Sequence, residues 1–564
     1  MTGPARIGRR LALPLTPSAA EIARRFQLTI VLAALVGAVT GLGVAGFRYV
    51  VEHAVAAVEE APTWLFAVLP GIGLALTHAV LHLLRGNDRA TTDAYVRAYH
   101  QRDGAMGLAE MGRKLLAALA SMCSGNALGL EGPSMLIGGS VGSTTERRFS
   151  NRLGRDDAKV LMVAGAAAGV AAVFKAPLTG VIFALEVPYR ADLARRALLP
   201  SLVAAASAYV VFVAIAGTDP LIPTRGSPPF DLRDLGGGAV LGVVCGLLAR
   251  LGAWSINRAK KVRWRMRWRL LAAALVYAAL APLAMWWFDE PVHLGPGYLA
   301  IEWATLPGQT LWLIGALFVV RAVATCASIG AGGVGGLFIP MVTQGAIAGA
   351  FFQQLVDAPS RNLFAAVGIA ALLGAGYRTP LAGVAFVAEA TGQPGYLVPA
   401  LLAAATAQLA MGRASFSPYQ QFERSADLRP LTRMTVAEIL SPQVLTLSPT
   451  SPVDKAITTL AERERRWAPL VEAGRYQGLV SLRDLASVPL ADRADTAVSQ
   501  LAITDARTVE ATETVMDVAG ILDRHDLSAL TVVDADGVVV GIVTRRDVAN
   551  VELVVDRLAD DAAR

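Results

Sequence analysis

One block of this chain occurs twice. Ala176-Pro-Leu-Thr-Gly-Val-Ile-Phe-Ala-Leu-Glu186 returns as Thr379-Pro-Leu-Ala-Gly-Val-Ala-Phe-Val-Ala-Glu389, so that Pro177 matches Pro380, Gly180 matches Gly383, Phe183 matches Phe386 and Glu186 matches Glu389. Upstream and in the same order, Gly129-Leu-Glu-Gly-Pro133 corresponds to Gly336-Leu-Phe-Ile-Pro340, with Gly138 and Gly142 opposite Gly345 and Gly349. Two matching blocks at nearly the same offset identify a duplicated unit, with halves at about 28–220 and 236–425. Duplicated units built on interrupted helices commonly face each other in opposite orientations and bring helix ends together near the middle. An inverted repeat of broken helices is therefore the expected fold.

The surroundings of these blocks are apolar. Of 564 residues, 54% are hydrophobic and 17% charged, and a mean hydropathy of +0.49 argues against an ordinary soluble globule. A first span is expected over about Leu28–Val50 and a second over Leu65–Leu84. The segment 1–27, with Arg6, Arg9, Arg10, Arg24 and Arg25, is expected on the cytoplasmic side. The first apolar run begins too late and is too long for the core of a cleavable secretion signal. From Leu115 onward Gly and Pro interrupt the apolar stretches, as at 124–133, 138–142, 165–180, 330–340 and 374–383. Such breaks are tolerated in a membrane only where protein or water surrounds them, and they point to an ion site near the midplane. The formal charge of +6 is concentrated in loops, most densely in Arg258-Ala-Lys-Lys-Val-Arg-Trp-Arg-Met-Arg-Trp-Arg269. Membrane spans flank that run, so it reads as a cytoplasmic loop and not as a surface for a nucleic-acid polymer. Cys123, Cys245 and Cys326 lie far apart in apolar sequence and suit neither a disulfide framework nor a metal site.

Comparison of the halves isolates one acid. Glu131 sits among glycines deep in apolar sequence, where the second half has Phe338. A buried carboxylate is costly unless an ion, water or a helix N-terminus compensates it. Glycines expose backbone N–H groups and Pro133 suits a helix start, so the ingredients are those of an anion site with an acid that competes for it. The aromatic counterpart is expected to line and narrow the path.

Together these residues resemble the CLC family of chloride channels and chloride/proton exchangers, over about residues 28–425. The resemblance implies a polytopic all-α membrane fold. It implies Glu131 as the gate, and the backbone around Gly129, Gly132, Phe338 and Ile339 as the anion-coordinating groups. The central tyrosine of the family is expected at Tyr419, in Phe416-Ser-Pro-Tyr-Gln420. The family's Gly-Ser-Gly-Ile-Pro element is missing; near Arg89-Ala-Thr-Thr-Asp-Ala94, Thr91 or Thr92 is expected to supply a hydroxyl instead. Exchangers of the family usually carry a further glutamate directly after the residue matching Glu186, and here that position is Val187. Valine relays no proton, so passive conduction is expected, with exchange through a non-standard inner path as the alternative. Repetition of Glu186 as Glu389 favours a shared structural role such as capping. Lys175 and Arg378, also repeat-equivalent, read either as vestibule charges or as helix-end pairs.

Apolar character ends near Phe422, and a linker at 426–435 leads to a charged α/β module at 436–564. Its repeats, 436–487 and 504–552, resemble tandem CBS domains. Ser481 with Asp484 and Thr544 with Asp547 read first as helix N-caps, while the resemblance makes them contacts for an adenine nucleotide. The whole reads as a multi-pass protein of the cell membrane with both termini cytoplasmic, expected to be homodimeric. It is expected to be no enzyme, to require no cofactor or metal, and to pass chloride, with bromide or nitrate as further candidates and protons acting on a voltage- or pH-sensitive gate.

Overall fold

The computed structural model describes residues 19–551 apart from 87, 151, 154–158, 223–230, 263, 358–361, 422–433, 441–443, 464, 504–507, 525–526, 535 and 549. Arg6, Arg9, Arg10 and most of the linker lie outside the described residues. The chain divides into two compact units, Met1–Arg424 and Ser425–Arg564.

The first unit is helical and runs twice through one series of eight. The first series comprises α1 (Ala19–Glu59), α2 (Thr63–Leu83), α3 (Thr92–Gln101), α4 (Leu108–Met122), α5 (Glu131–Phe149), α6 (Val160–Phe174), α7 (Pro177–Glu186) and α8 (Leu198–Ala216). The second comprises α9 (Leu232–Lys260), α10 (Met266–Phe288), α11 (Tyr298–Thr305), α12 (Leu311–Gly330), α13 (Phe338–Leu355), α14 (Leu363–Tyr377), α15 (Pro380–Thr391) and α16 (Leu397–Met411). Among the described residues, seven helices are long and apolar enough to cross a membrane. Helix α1 begins well before Leu28 and takes in Arg24 and Arg25. At 41 residues it is about 60 Å long, so an α-helix that satisfies its own backbone continues past the apolar run.

Corresponding helices pack alike in both halves: α5 on α6 as α13 on α14, and α1 on α8 as α9 on α16. Glycine sets these close crossings. A Cβ on Gly138 would overlap the Gly165 carbonyl and one on Gly165 the Gly138 carbonyl; Gly345 and Gly368 repeat the arrangement. Between the halves, contacts are reciprocal. Glu186 ends α7 and reaches the N-terminus of α15, while Glu389 near the end of α15 reaches that of α7. Such exchange of equivalent contacts is what an approximate two-fold axis produces.

Two repeat-equivalent cations hold the entries to the third helix of each series. Lys114 on α4 is buried and donates to Asp88 Oδ2 at 2.8 Å and the Ala90 carbonyl at 2.9 Å. Arg321 on α12 is also buried and spends both terminal nitrogens on the carbonyls of Val292, Leu294, Gly295 and Pro296.

In the second unit, strand β1 (Trp467–Glu472) pairs antiparallel with β2 (Arg475–Ser481), and Leu447 bridges in parallel to Leu470. The second module repeats this pattern: β3 (Thr508–Glu510) lies parallel to β4 (Ala529–Val533), which is antiparallel to β5 (Val539–Thr544). Amphipathic helices Val453–Glu462 and Val515–Arg524 cover the sheets through Val453, Ala456 and Leu460 and through Val515, Val518 and Leu522.

Candidate anion site

Gly129 and Gly336 join the two halves by mutual hydrogen bonds, Gly129 N to Gly336 O at 2.8 Å and Gly336 N to Gly129 O at 2.7 Å. Just beyond this bridge α5 starts at Glu131 and α13 at Phe338. The Glu131 side chain is fully buried and turns back across the bridge. Its Oε1 accepts the Phe338 N–H, and Oε2 has no hydrogen-bond partner. A Cβ on Gly129 or on Gly336 would overlap this carboxylate, so the two glycines create its room. A third N-terminus arrives from α3: Thr91 donates its hydroxyl to the Gly335 carbonyl at 3.1 Å and stands where a Cβ on Gly132 would be. Three helix starts thus meet at one place, each with backbone N–H groups left over for an anion.

Among the described residues, three glutamates reach a helix N-terminus of the opposite half, and their anchoring differs. Glu389 accepts from Leu178 N at 2.9 Å, Thr179 N at 2.7 Å and Thr179 Oγ1 at 2.7 Å. Glu186 accepts from Leu381 N at 3.3 Å and Ala382 N at 2.9 Å. Glu131 takes the Phe338 N–H on Oε1, with the Ile339 N–H and its own N–H also facing the carboxylate, and among the described residues its Oε2 has no hydrogen-bond partner. Glu186 and Glu389 are reciprocal caps, the structural role that their repetition suggests. Lys175 and Arg378 resolve to helix ends too: both have left-handed backbone, at φ 53° and 57°. Lys175 donates to the carbonyls of Ala216 and Asp219, and Arg378 to that of Gly412.

The ring of Phe338 does not stand open along a channel. It is fully enclosed, stacked on Phe174 at 4.5 Å between centroids and met edge-on by Phe183 and Phe386 at 5.0 and 5.1 Å. Its backbone, not its ring, serves Glu131. A buried hydroxyl beside this cage belongs to Tyr377 at the end of α14. Its ring meets Phe183 at 5.5 Å, and the hydroxyl lies beside Thr92 and the Leu337 backbone, within electrostatic reach of Glu131. Tyr419 lines the wider part of the same cavity: the residue is 39% exposed and its ring sits under the Arg97 guanidinium at 5.0 Å. The signal for Tyr377 was present in the repeat, because Phe174-Lys175 aligns with Tyr377-Arg378.

Thr91, Thr92, Leu337 and Tyr377 form one wall of a cavity of about 660 Å³ that widens past Asp93, Arg97, Lys260 and Tyr419. Position 187 is an apolar, fully buried valine, and the Gln420 amide holds its carbonyl at 2.9 Å.

In the second unit, Thr544 and Asp547 form an N-cap, Oγ1 to Oδ2 at 2.6 Å and Asp547 N to Thr544 Oγ1 at 3.2 Å. Ser481 and Asp484 repeat it at 2.6 and 3.1 Å. Only the Thr544–Asp547 pair borders the cavity of about 380 Å³ that Arg465, Arg466, Trp467 and Arg546 also line.

Residues 88–412 match the family described as "Voltage gated chloride channel", and residues 436–491 and 498–553 match the CBS domain. The "Voltage-gated ClC-type chloride channel ClcB" of Salmonella typhimurium is 28% identical over 405 residues, 66% of this chain and 94% of that protein. The "H(+)/Cl(-) exchange transporter ClcA" of Vibrio cholerae is 31% identical over 305 residues, 51% of this chain and 64% of that protein. Among solved structures, "a slow cyanobacterial Cl-/H+ antiporter" superposes with a TM-score of 0.60 at 22% identity, covering 68% of this chain and 94% of that one. A "eukaryotic CLC transporter" covers 94% of this chain and 99% of that one, with a TM-score of 0.57 at 19% identity. The duplicated helices, the helix starts around Glu131 and the two modules after them therefore have one source: this multi-pass membrane protein belongs to the CLC family and carries a pair of CBS domains.

Proposed function

We propose that this protein is a gated chloride channel, homodimeric with one pathway per subunit, in which Glu131 is the gate. The single observation that carries the reading is the contrast among the three capping carboxylates. A carboxylate with one oxygen bare is the one that an anion can displace. When charged, it occupies the N–H groups of Phe338 and Ile339. Once protonated, it loses its attraction for those dipoles and leaves them to chloride. Chloride efflux accordingly rises as pH falls. Below the gate, the hydroxyls of Tyr377 and Thr92, with Thr91 positioning the α3 start, receive the anion. Tyr419 serves the wider cavity. Uncoupled conduction is supported by Val187, which carries no proton, and by Glu186, which is committed to α15.

Chloride/proton exchange is the second reading, favoured by relatives named as exchangers and by one group on this chain. His100 has its Nε2 2.7 Å from the Pro188 carbonyl, next to the Val187 turn, and is a titratable side chain there. Simultaneous chloride and proton flux from the purified protein in liposomes decides between them. The channel reading expects chloride to move without stoichiometric protons, and the Glu131→Gln variant to conduct without pH dependence. Proton movement tied to chloride establishes exchange instead, and a variant with the wild-type pH response removes Glu131 as the gate.

The tail is proposed to bind an adenine nucleotide beside Thr544 and Asp547, on the cytoplasmic side, with Arg465, Arg466 and Arg546 available to phosphates. Calorimetric titration of the full chain with ATP, ADP and AMP tests this, and Asp547→Ala should abolish the heat of binding.

A further inference from the structure

The basic turn between α9 and α10 borders the same large cavity as the start of α3, and its charges exceed what chloride conduction uses. Arg97 is paired with Asp88 at 2.5 Å and Lys260 with Asp93 at 2.9 Å. Arg89 and Arg269 have no carboxylate partner among the described residues. They instead converge on one helix end, the C-terminus of α12. Arg269 donates its Nε to the Gly330 carbonyl at 2.6 Å, and Arg89 donates an Nη1 to the Ala331 carbonyl at 3.4 Å. His78 lies 2.9 Å from the other terminal nitrogen of Arg89. Each guanidinium carries five N–H donors in a fixed fork, so several remain unused. Lys261 lies at the rim of the same cavity.

A helix C-terminus attracts cations, and one arginine would satisfy it. Two adjacent guanidiniums repel each other unless an anion stands between them. A cavity of about 660 Å³ is also far larger than a chloride ion requires. Planar forks match the oxygens of a phosphate bidentately, and a halide makes no use of that geometry.

We propose that this cavity binds a phosphate-bearing anion across Arg89 and Arg269, and that the bound anion blocks the approach to Thr92 and Tyr377. The block deepens the conduction reading and rests on it, whereas binding itself does not. The phosphate has two sources, a soluble ion in the cavity or the headgroup of an acidic lipid. A lipid route is open because Trp264 on this turn and Trp268 at the start of α10 are 63% and 51% exposed and suit a membrane interface.

Pyrophosphate is the soluble probe, titrated calorimetrically into the full chain in detergent at fixed ionic strength. Saturable binding at one site per subunit is expected, weakened about 10- to 100-fold in Arg89→Gln and in Arg269→Gln and unchanged in Arg233→Gln on the exposed start of α9. Arg89→Lys, which keeps the charge without the fork, should fall between. Chloride efflux is then compared in phosphatidylcholine vesicles with and without phosphatidylglycerol. Inhibition by pyrophosphate in the neutral vesicles assigns the soluble source. Inhibition by phosphatidylglycerol that Arg89→Gln relieves assigns the headgroup. Absence of saturable pyrophosphate binding together with lipid-independent efflux overturns the proposal, as does binding that both variants leave intact. Intact binding in a protein that shows no chloride efflux refutes the conduction reading and not the site.

Discussion

Where the first half of the membrane unit carries Glu131 the second carries Phe338, and where the second carries Tyr377 the first carries Phe174. The two apolar members, Phe174 and Phe338, stack on each other at 4.5 Å in the middle of the unit. The two polar members, Glu131 and Tyr377, lie within electrostatic reach of each other around that stack. Duplication supplied the helix starts and the close glycine crossings twice. Divergence then left one acid and one hydroxyl where symmetry would have given two of each or none. Two facing carboxylates would repel an anion, so the asymmetry is what a pathway requires.

The same comparison applies to the buried cations, and it yields the largest expected effect. Arg321 satisfies four fully enclosed carbonyls, whereas Lys114 is joined by Asp88 and Glu110, both about 30% exposed. Arg321→Met should therefore cost about 3–5 kcal/mol, seen as a loss of folded protein in detergent on heating. Lys114→Met should cost less, because water reaches the carboxylates that it leaves behind. Equal losses would mean that the two halves are held alike.

The helix crossings come next. Gly138→Ala puts a methyl into the Gly165 carbonyl more deeply than Gly345→Ala does at Gly368. Both should destabilise by about 1–3 kcal/mol, with the first-half variant the worse, as thermal denaturation will measure. A smaller difference is expected between the reciprocal caps. Glu389 holds three donors at 2.7–2.9 Å and Glu186 two, one of them at 3.3 Å. Glu389→Ala should thus exceed Glu186→Ala by about 1 kcal/mol. If Glu186→Ala instead changes proton movement while stability holds, the capping symmetry is broken in favour of an exchanger.

Much of this was legible in the chain because duplication is written in residue order. The Pro-Leu-x-Gly blocks locate α7 and α15, since proline opens a helix and the glycine lets it press on its neighbour. That Glu186 and Glu389 share a structural role is suggested by their recurrence, and the folded halves make that role capping. Tyr419 shows where this reasoning stops. A tyrosine near the end of the last broken segment looked like the inner ligand, yet it stands on the cavity wall under Arg97. The buried hydroxyl is that of Tyr377, whose ring meets Phe183 only where the two halves pack together.

Composition, periodicity and repetition fixed a membrane protein of two like halves with a soluble tail, because burial of apolar faces and helix starts are local properties of sequence. Recurrence already sets Glu131 apart from Glu186 and Glu389, but how firmly each carboxylate is held was decided elsewhere. It depends on how closely the opposite half brings its donors to each oxygen, across about 200 residues of separation, and only the folded halves set those distances.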